Sequence, residues 1–192
     1  EPVTLYYPEQ KAQNLLKELG LQGLPVYLLG KEVEAEKNFS SFKANLEAKG
    51  NYYLVKPQFA GFSYFFNRKK TPGTLDVFIG LYNKNARDLL DVIREFNPRV
   101  HFLASEDKGA FDAVRKEPEV QEYLRAVCVQ KYNPESFWEY ISCRAKDFES
   151  SWWDDCVPGE DAQKIKACAK SEEGSELLSE NIKLNKELGG LF

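Results

Sequence analysis

The 192 residues contain no methionine, a single histidine, and no cysteine before residue 128. No apolar run approaches the roughly 20 residues needed to cross a bilayer, so no membrane span is expected. No long run of one charge occurs, and 26 basic residues stand against 30 acidic ones. That balance removes the footprint of a nucleic-acid binder or a polybasic membrane anchor. The chain opens at Glu1-Pro2 without a basic, apolar leader, and reads as a mature or trimmed chain. Close cysteine pairs of the C-x₂-C kind, which pre-organise tetrahedral zinc, are also missing. No metal and no other cofactor is expected.

What is present suffices for a real core: 43% of the residues are hydrophobic and 14% aromatic. The first segment reads as a strand ("VTLYY"), a helix opened by Pro8 and stopped by Gly20, and a buried strand over residues 23–30 ("GLPVYLLG"). A second helix is expected over "VEAEKNFSSFKANLEAKG", with Phe39, Phe42 and Leu46 on one face and Gly50 as its stop. Two strands, "NYYLVKP" and "GFSYFF", follow. The basic "NRKKTPG", residues 67–73, is the linker between an N-terminal segment, 1–73, and a second, 74–192.

In that second segment a strand (Leu75–Leu81), a helix (Ala86–Phe96) and a strand (Arg99–Ala104) make a parallel βαβ unit. Strand signals stop near Asp107 and helices take over. "PEVQEYLRAVCVQKY" carries Val120, Tyr123, Leu124, Val127 and Cys128 on one stripe, and "NPESFWEYISC" starts with Asn133 as cap and Pro134 at the first helical position. "DAQKIKACAK" and "GSELLSENIKLNKELGG" are two more helices. The helical block spans about 107–172. Its four cysteines, Cys128, Cys143, Cys156 and Cys168, are separated by eleven to fourteen residues. They read as two structural disulfides, which allow three connectivities and imply an oxidising compartment.

The motifs "LDVFIGLY", "EPEVQEYLRAVC", "YNPESFWEYISCR", "WWDDC" and "KIKACAKSEEGSELLSENIKLNKELG" resemble the DsbA-like branch of the thioredoxin superfamily. The likeness is to an exported bacterial subgroup with a four-cysteine helical domain. The resemblance implies an α/β fold of thioredoxin-like units, the second carrying a disulfide-bearing helical insertion, in a periplasmic or extracellular protein. "GLPVYLLGKEV" adds a weaker likeness to the strand after the family's cis-proline, which makes Pro25 a candidate cis-proline. Two features depart from the pattern. The family's redox Cys-x-x-Cys falls on Tyr82, Asn83, Lys84 and Asn85, where no cysteine stands, and the Gly-x-Pro-Thr loop that follows the last helix in relatives is not among these residues.

A thiol–disulfide exchanger needs a thiolate at a helix N-terminus and a resolving cysteine one turn away. A phenol, two amides and an ammonium cannot form a mixed disulfide. The turn is therefore either a retained binding lip for an extended peptide or anion, or a simple capped turn with Asn85 as the cap. His101, between Val100 and Phe102, reads as a satisfied strand histidine, and Trp152 and Trp153 as packing against a disulfide, with a sugar- or peptide-stacking ledge as the alternative. Glu106-Asp107 and Asp154-Asp155 are adjacent pairs facing different ways, hence solvated surface. The expected function is an exported thioredoxin-fold protein with a degenerate redox site, a non-catalytic protein- or peptide-binding or scaffold module. The alternative is an oxidoreductase whose Cys-x-x-Cys lies outside these residues. The disulfides are expected to join Cys143 to Cys156, closing one helix end onto the next element, and Cys128 to Cys168 on facing helices.

Overall fold

The computed structural model describes residues 2–188 other than 62, 63, 67, 70, 158 and 160, with backbone alone at 58, 84, 86 and 87. The elements are mixed α/β, and the chain divides into two compact units, residues 1–70 and 71–190. Parts of three expected features, the linker at 67–73, the strand across 61–66 and the helix stop at Gly189-Gly190, fall outside the described residues.

In the N-terminal unit, α1 (Gln10–Glu18) turns Ala12 and Leu16 inward, as the leucine spacing requires. The expected strand at 3–7 does not form. Val3 and Tyr6 are exposed and the segment pairs with no strand among the described residues, because β-favouring residues make a strand only against a partner edge. The run 23–30 is two short strands, β1 (Gly23–Leu24) and β2 (Leu28–Gly30).

The long helix expected over 33–50 is absent. Lys31–Ala35 is a 3-10 turn, α2 is one turn (Phe39–Phe42), Lys43–Asn45 is again 3-10, and β3 (Leu46–Lys49) follows. Ser41 Oγ donates to the Asn38 carbonyl at 2.8 Å, the local side-chain competition that weakens helices. Gly50 is no helix stop. With φ of +56° it opens the two-residue turn between β3 and β4 (Tyr52–Val55), whose strands pair Lys49 with Tyr52. After α3 (Pro57–Ala60), β5 (Tyr64–Phe65) pairs with β1, and a second antiparallel sheet has the order β2-β4-β3.

The C-terminal unit starts with β6 (Asp76–Ile79), α4 (Lys84–Ile93) and β7 (Arg99–Phe102). The two strands are parallel, Val77 beside Val100 and Ile79 beside Phe102. Ile79 and Phe102 are buried, and Val77 is half-buried. Residues 105–112, which run past the point near Asp107 after which only helices are expected, form the hairpin β8 (Ser105–Asp107) and β9 (Ala110–Asp112). Its short, polar strands carry no apolar alternation from which to read it.

Four helices complete the unit: α5 (Glu117–Tyr132), α6 (Phe137–Arg144), α7 (Asp161–Ala169) and α8 (Glu172–Glu187). The Asn133-Pro134 start holds a 3-10 turn, Pro134–Ser136, before α6. α5 lies against the other three, and the Cys128–Cys168 bond ties it to α7, while Cys143–Cys156 ties α6 to the 3-10 turn Asp154–Cys156. Gly174 lets α8 approach the end of α7: a Cβ there would collide with the Cys168 carbonyl. α8 also finishes the small sheet. The Asn181 carboxamide donates to Val100 O and accepts from Phe102 N, each at 2.8 Å, so one side chain stands in for a neighbouring strand on the outer edge of β7.

Candidate functional site

β6 delivers its carboxyl end to a tight turn: Asn83 N donates to Gly80 O at 3.0 Å, and Leu81 is fully buried. The helix cap is Asn83, not Asn85. Asn83 keeps extended backbone angles (φ −81°, ψ 121°), and its side-chain oxygen accepts from Asn85 N at 2.9 Å. The helix begins two residues before Ala86, so Asn85 already sits inside it.

Tyr82 points away from any exposed lip. Its ring lies 5.4 Å from that of Phe148 and its hydroxyl donates to Phe148 O at 2.7 Å, which anchors the turn to the helical block. Burial, then the charge of Glu122, pushes this phenol's pKa up. Asn85 is exposed, and the Lys84 side chain lies outside the described residues.

Beneath the turn is a polar cluster that pattern reading missed. Glu119, 2% exposed, accepts from Tyr123 OH at 2.5 Å and from Arg115 N at 2.9 Å. It lies under Gly80, where a Cβ would stand 3.5 Å from Glu119 Oε1 and 3.7 Å from the Tyr123 hydroxyl. Glu122, wholly buried, accepts from Tyr140 OH at 2.6 Å, from Arg125 Nη2 at 2.7 Å, and from Arg144 Nη2 and Nε at 3.0 and 3.1 Å. Arg144 spends its other donors on Asp147 O, Phe148 O, Ser150 O and Ser150 Oγ. Phe148 O is thus shared by Tyr82 and Arg144, and it couples the turn to the buried ion pair. Burial, reinforced by Glu119 and Glu122, raises the pKa of Tyr123 and of Tyr140, so both phenols stay neutral.

The signal for this cluster was available in α5. Val120, Leu124, Ala126, Val127 and Val129 spread beyond a single stripe, which marks a helix enclosed on more than one side without marking which of its acids are buried. Carboxylates on such a helix have to be paired.

The remaining candidates fall into place separately. His101 Nδ1 is 2.7 Å from Asn181 O, Nε2 is 2.9 Å from Asp76 Oδ1, and the ring stacks on Phe78, so both nitrogens are engaged in structure. Burial pushes the Asp76 carboxyl up, but hydrogen bonds from Arg99 and His101 outweigh it and hold the group below the usual carboxylate range. Trp153 takes Arg125 against its face at 5.4 Å, whereas Trp152 is 71% exposed, so the two make no common ledge. Cys128, Cys143, Cys156 and Cys168 are all disulfide-bonded. In the N-terminal unit the Leu24–Pro25 peptide is cis. Among the described residues no group of three or more His, Cys, Asp or Glu could hold a metal, and no helix is long and apolar enough to cross a membrane.

No protein-family model matches the chain, and no curated protein matches it.

Proposed function

We propose that this is a thioredoxin-fold protein of the DsbA-like kind whose redox site has degenerated. It acts in an oxidising, extracytoplasmic compartment as a non-catalytic protein- or peptide-binding or scaffold module. One observation carries the reading: a parallel strand ends in a turn at the N-terminus of α4, where a thiol would be activated, and that turn offers an exposed Asn85 and no sulfur. The four cysteines are committed to disulfides in the helical block, which suits that compartment. Tyr82 supports the same reading, since its bond to Phe148 O ties the start of the turn to the helical block.

The test is insulin reduction by dithiothreitol, which the purified chain should not accelerate. Acceleration would restore the oxidoreductase alternative. Titrating the ¹⁵N-labelled chain with oxidised insulin B chain should shift amide signals at residues 83–86, and an absence of localised shifts removes the binding reading. Tyr82→Cys with Asn85→Cys should create a reducible pair, at the expense of the phenol anchor.

A further inference from the structure

Among the described residues of the N-terminal unit the buried apolar side chains are few (Ala12, Leu16, Leu19, Leu46, Leu54 and Ala60), while Leu5, Leu15, Leu24, Val26 and Leu28 are half-buried around a cleft of about 930 Å³. Protein interiors are packed like organic crystals, with few voids larger than a water molecule. A cleft this large, walled by aliphatic side chains, is ligand-sized.

One wall is the free side of β2. That strand is the outer member of the β2-β4-β3 sheet. Tyr27 O accepts from Val55 N at 3.0 Å, and antiparallel pairing alternates, so Tyr27 and Leu29 turn their polar groups toward β4. Leu28 therefore directs its N–H and C=O outward, and Gly30 its N–H. These three groups have no hydrogen-bond partner among the described residues. The charged side chains on the cleft are Glu18, Glu32 and Glu36 against Lys11 alone, and the Glu32 carboxylate folds over Gly30 at the end of the free edge.

These features select the occupant. A hydrocarbon would fill the volume but leave three main-chain groups dry. A helix has no donors to give along its flank. Only an extended backbone supplies donors and acceptors at strand spacing while sending alternate side chains into the cleft. Three carboxylates against one ammonium call for a basic chain. They also oppose a second copy, whose own acidic rim would be brought against this one. We propose that the N-terminal unit takes up an extended, basic segment of another protein as an added strand on β2, its alternate apolar side chains filling the cleft. The proposal concerns this unit alone and does not depend on the reading of the turn at 82–85.

The probe is the capped heptapeptide Lys-Val-Thr-Val-Thr-Val-Lys, titrated into the full chain by fluorescence anisotropy and ¹⁵N spectra. Saturable binding is expected, with the Leu28 and Gly30 amides shifted and newly protected from hydrogen exchange. N-methylating the odd-numbered or the even-numbered peptide residues in turn should weaken binding at least tenfold in one set and little in the other, because only one set faces β2. Replacing both peptide lysines by glutamate should cost at least tenfold. The exposed double change Glu32→Lys with Glu36→Lys should reverse that preference without touching the core. Equal loss with both N-methyl sets, indifference to charge, or displacement of the peptide by a fatty acid would overturn the proposal. So would Leu28 and Gly30 amides that become protected on concentration alone, which would assign the edge to a second copy.

Discussion

Glu122→Gln tests whether the buried cluster holds the C-terminal unit together. The substitution keeps the shape of the side chain and one acceptor oxygen, and removes the charge that faces Arg125 and Arg144. Arg144 is 1% exposed and cannot turn to water. Four hydrogen bonds converge on the Glu122 carboxylate. An amide can accept some of them but places its own N–H₂ against a donor. Removing one partner of a buried ion pair costs roughly 3–5 kcal/mol, because the other charge is left uncompensated. With a urea slope of about 2 kcal/mol/M, the midpoint should fall by about 1.5–2.5 M. All three tryptophans, Trp138, Trp152 and Trp153, lie in this unit, so intrinsic fluorescence under non-reducing conditions reads it alone. Glu180→Gln is the control. Its pair with Lys183 spans 3.4 Å between side chains that are 74% and 57% exposed, and its loss should stay below about 0.5 kcal/mol. Arg144→Met should cost less in the Glu122→Gln background than alone, since the two act as one unit. A midpoint shift under about 0.3 M for Glu122→Gln would refute the argument.

Four further outcomes are expected. Thiol titration under denaturing, non-reducing conditions should find close to no free cysteine. Replacing Cys128 and Cys168 by alanine should cost about 4 kcal/mol, and replacing Cys143 and Cys156 about 3, because the bonds close loops of 40 and 13 residues, and a reversed order in urea melts would count against this. Tyr123 and Tyr140 have raised pKa values when folded, so their contribution is complete below the unfolded value of about 10 and is lost as pH climbs above it, by about 1.4 kcal/mol per phenol per pH unit. Absorbance at 295 nm should show these two phenols ionising only with unfolding, and Tyr123→Phe with Tyr140→Phe should flatten the alkaline loss. Asn181→Leu should cost about 1–3 kcal/mol by leaving Val100 O and Phe102 N unpaired, a loss that Asn181→Asp, with no N–H₂, should only partly recover.

The βαβ unit was legible because its signals are local. "VFIG" and "VHFL" are strand-length and bounded by turn residues, and the helix between them has Leu90 and Ile93 buried on one face. The same local logic misread residues 33–50. Phe39, Phe42 and Leu46 have helical spacing, yet Leu46 belongs to a strand, and "KGN" is a hairpin turn rather than a helix stop. A glycine after an apolar residue marks a change of direction in either case. Whether a helix or a strand precedes it is decided by whether a partner strand, here "YYLV", is available to pair.

The turn at 82–85 shows why placement can be read from sequence while role cannot. Its position follows from the end of β6 and the start of α4, both local. What its residues do follows from Phe148, 66 residues away, whose carbonyl receives both Tyr82 and Arg144. Glu119 and Glu122 are equally non-local: as letters they are two more acids in a chain with thirty. Their burial depends on α5 being enclosed by three helices and pinned through Cys128, so only the disulfide-tied block explains why acids sit where aliphatic side chains would otherwise pack. The donors that satisfy them are phenols, guanidinium groups and a main-chain N–H, and a buried carboxylate without partners of this kind would not persist. The anchoring of Tyr82 is in this sense a property of the helical block, made at the Phe148 carbonyl at 2.7 Å and, more weakly, at the Pro118 carbonyl at 3.5 Å.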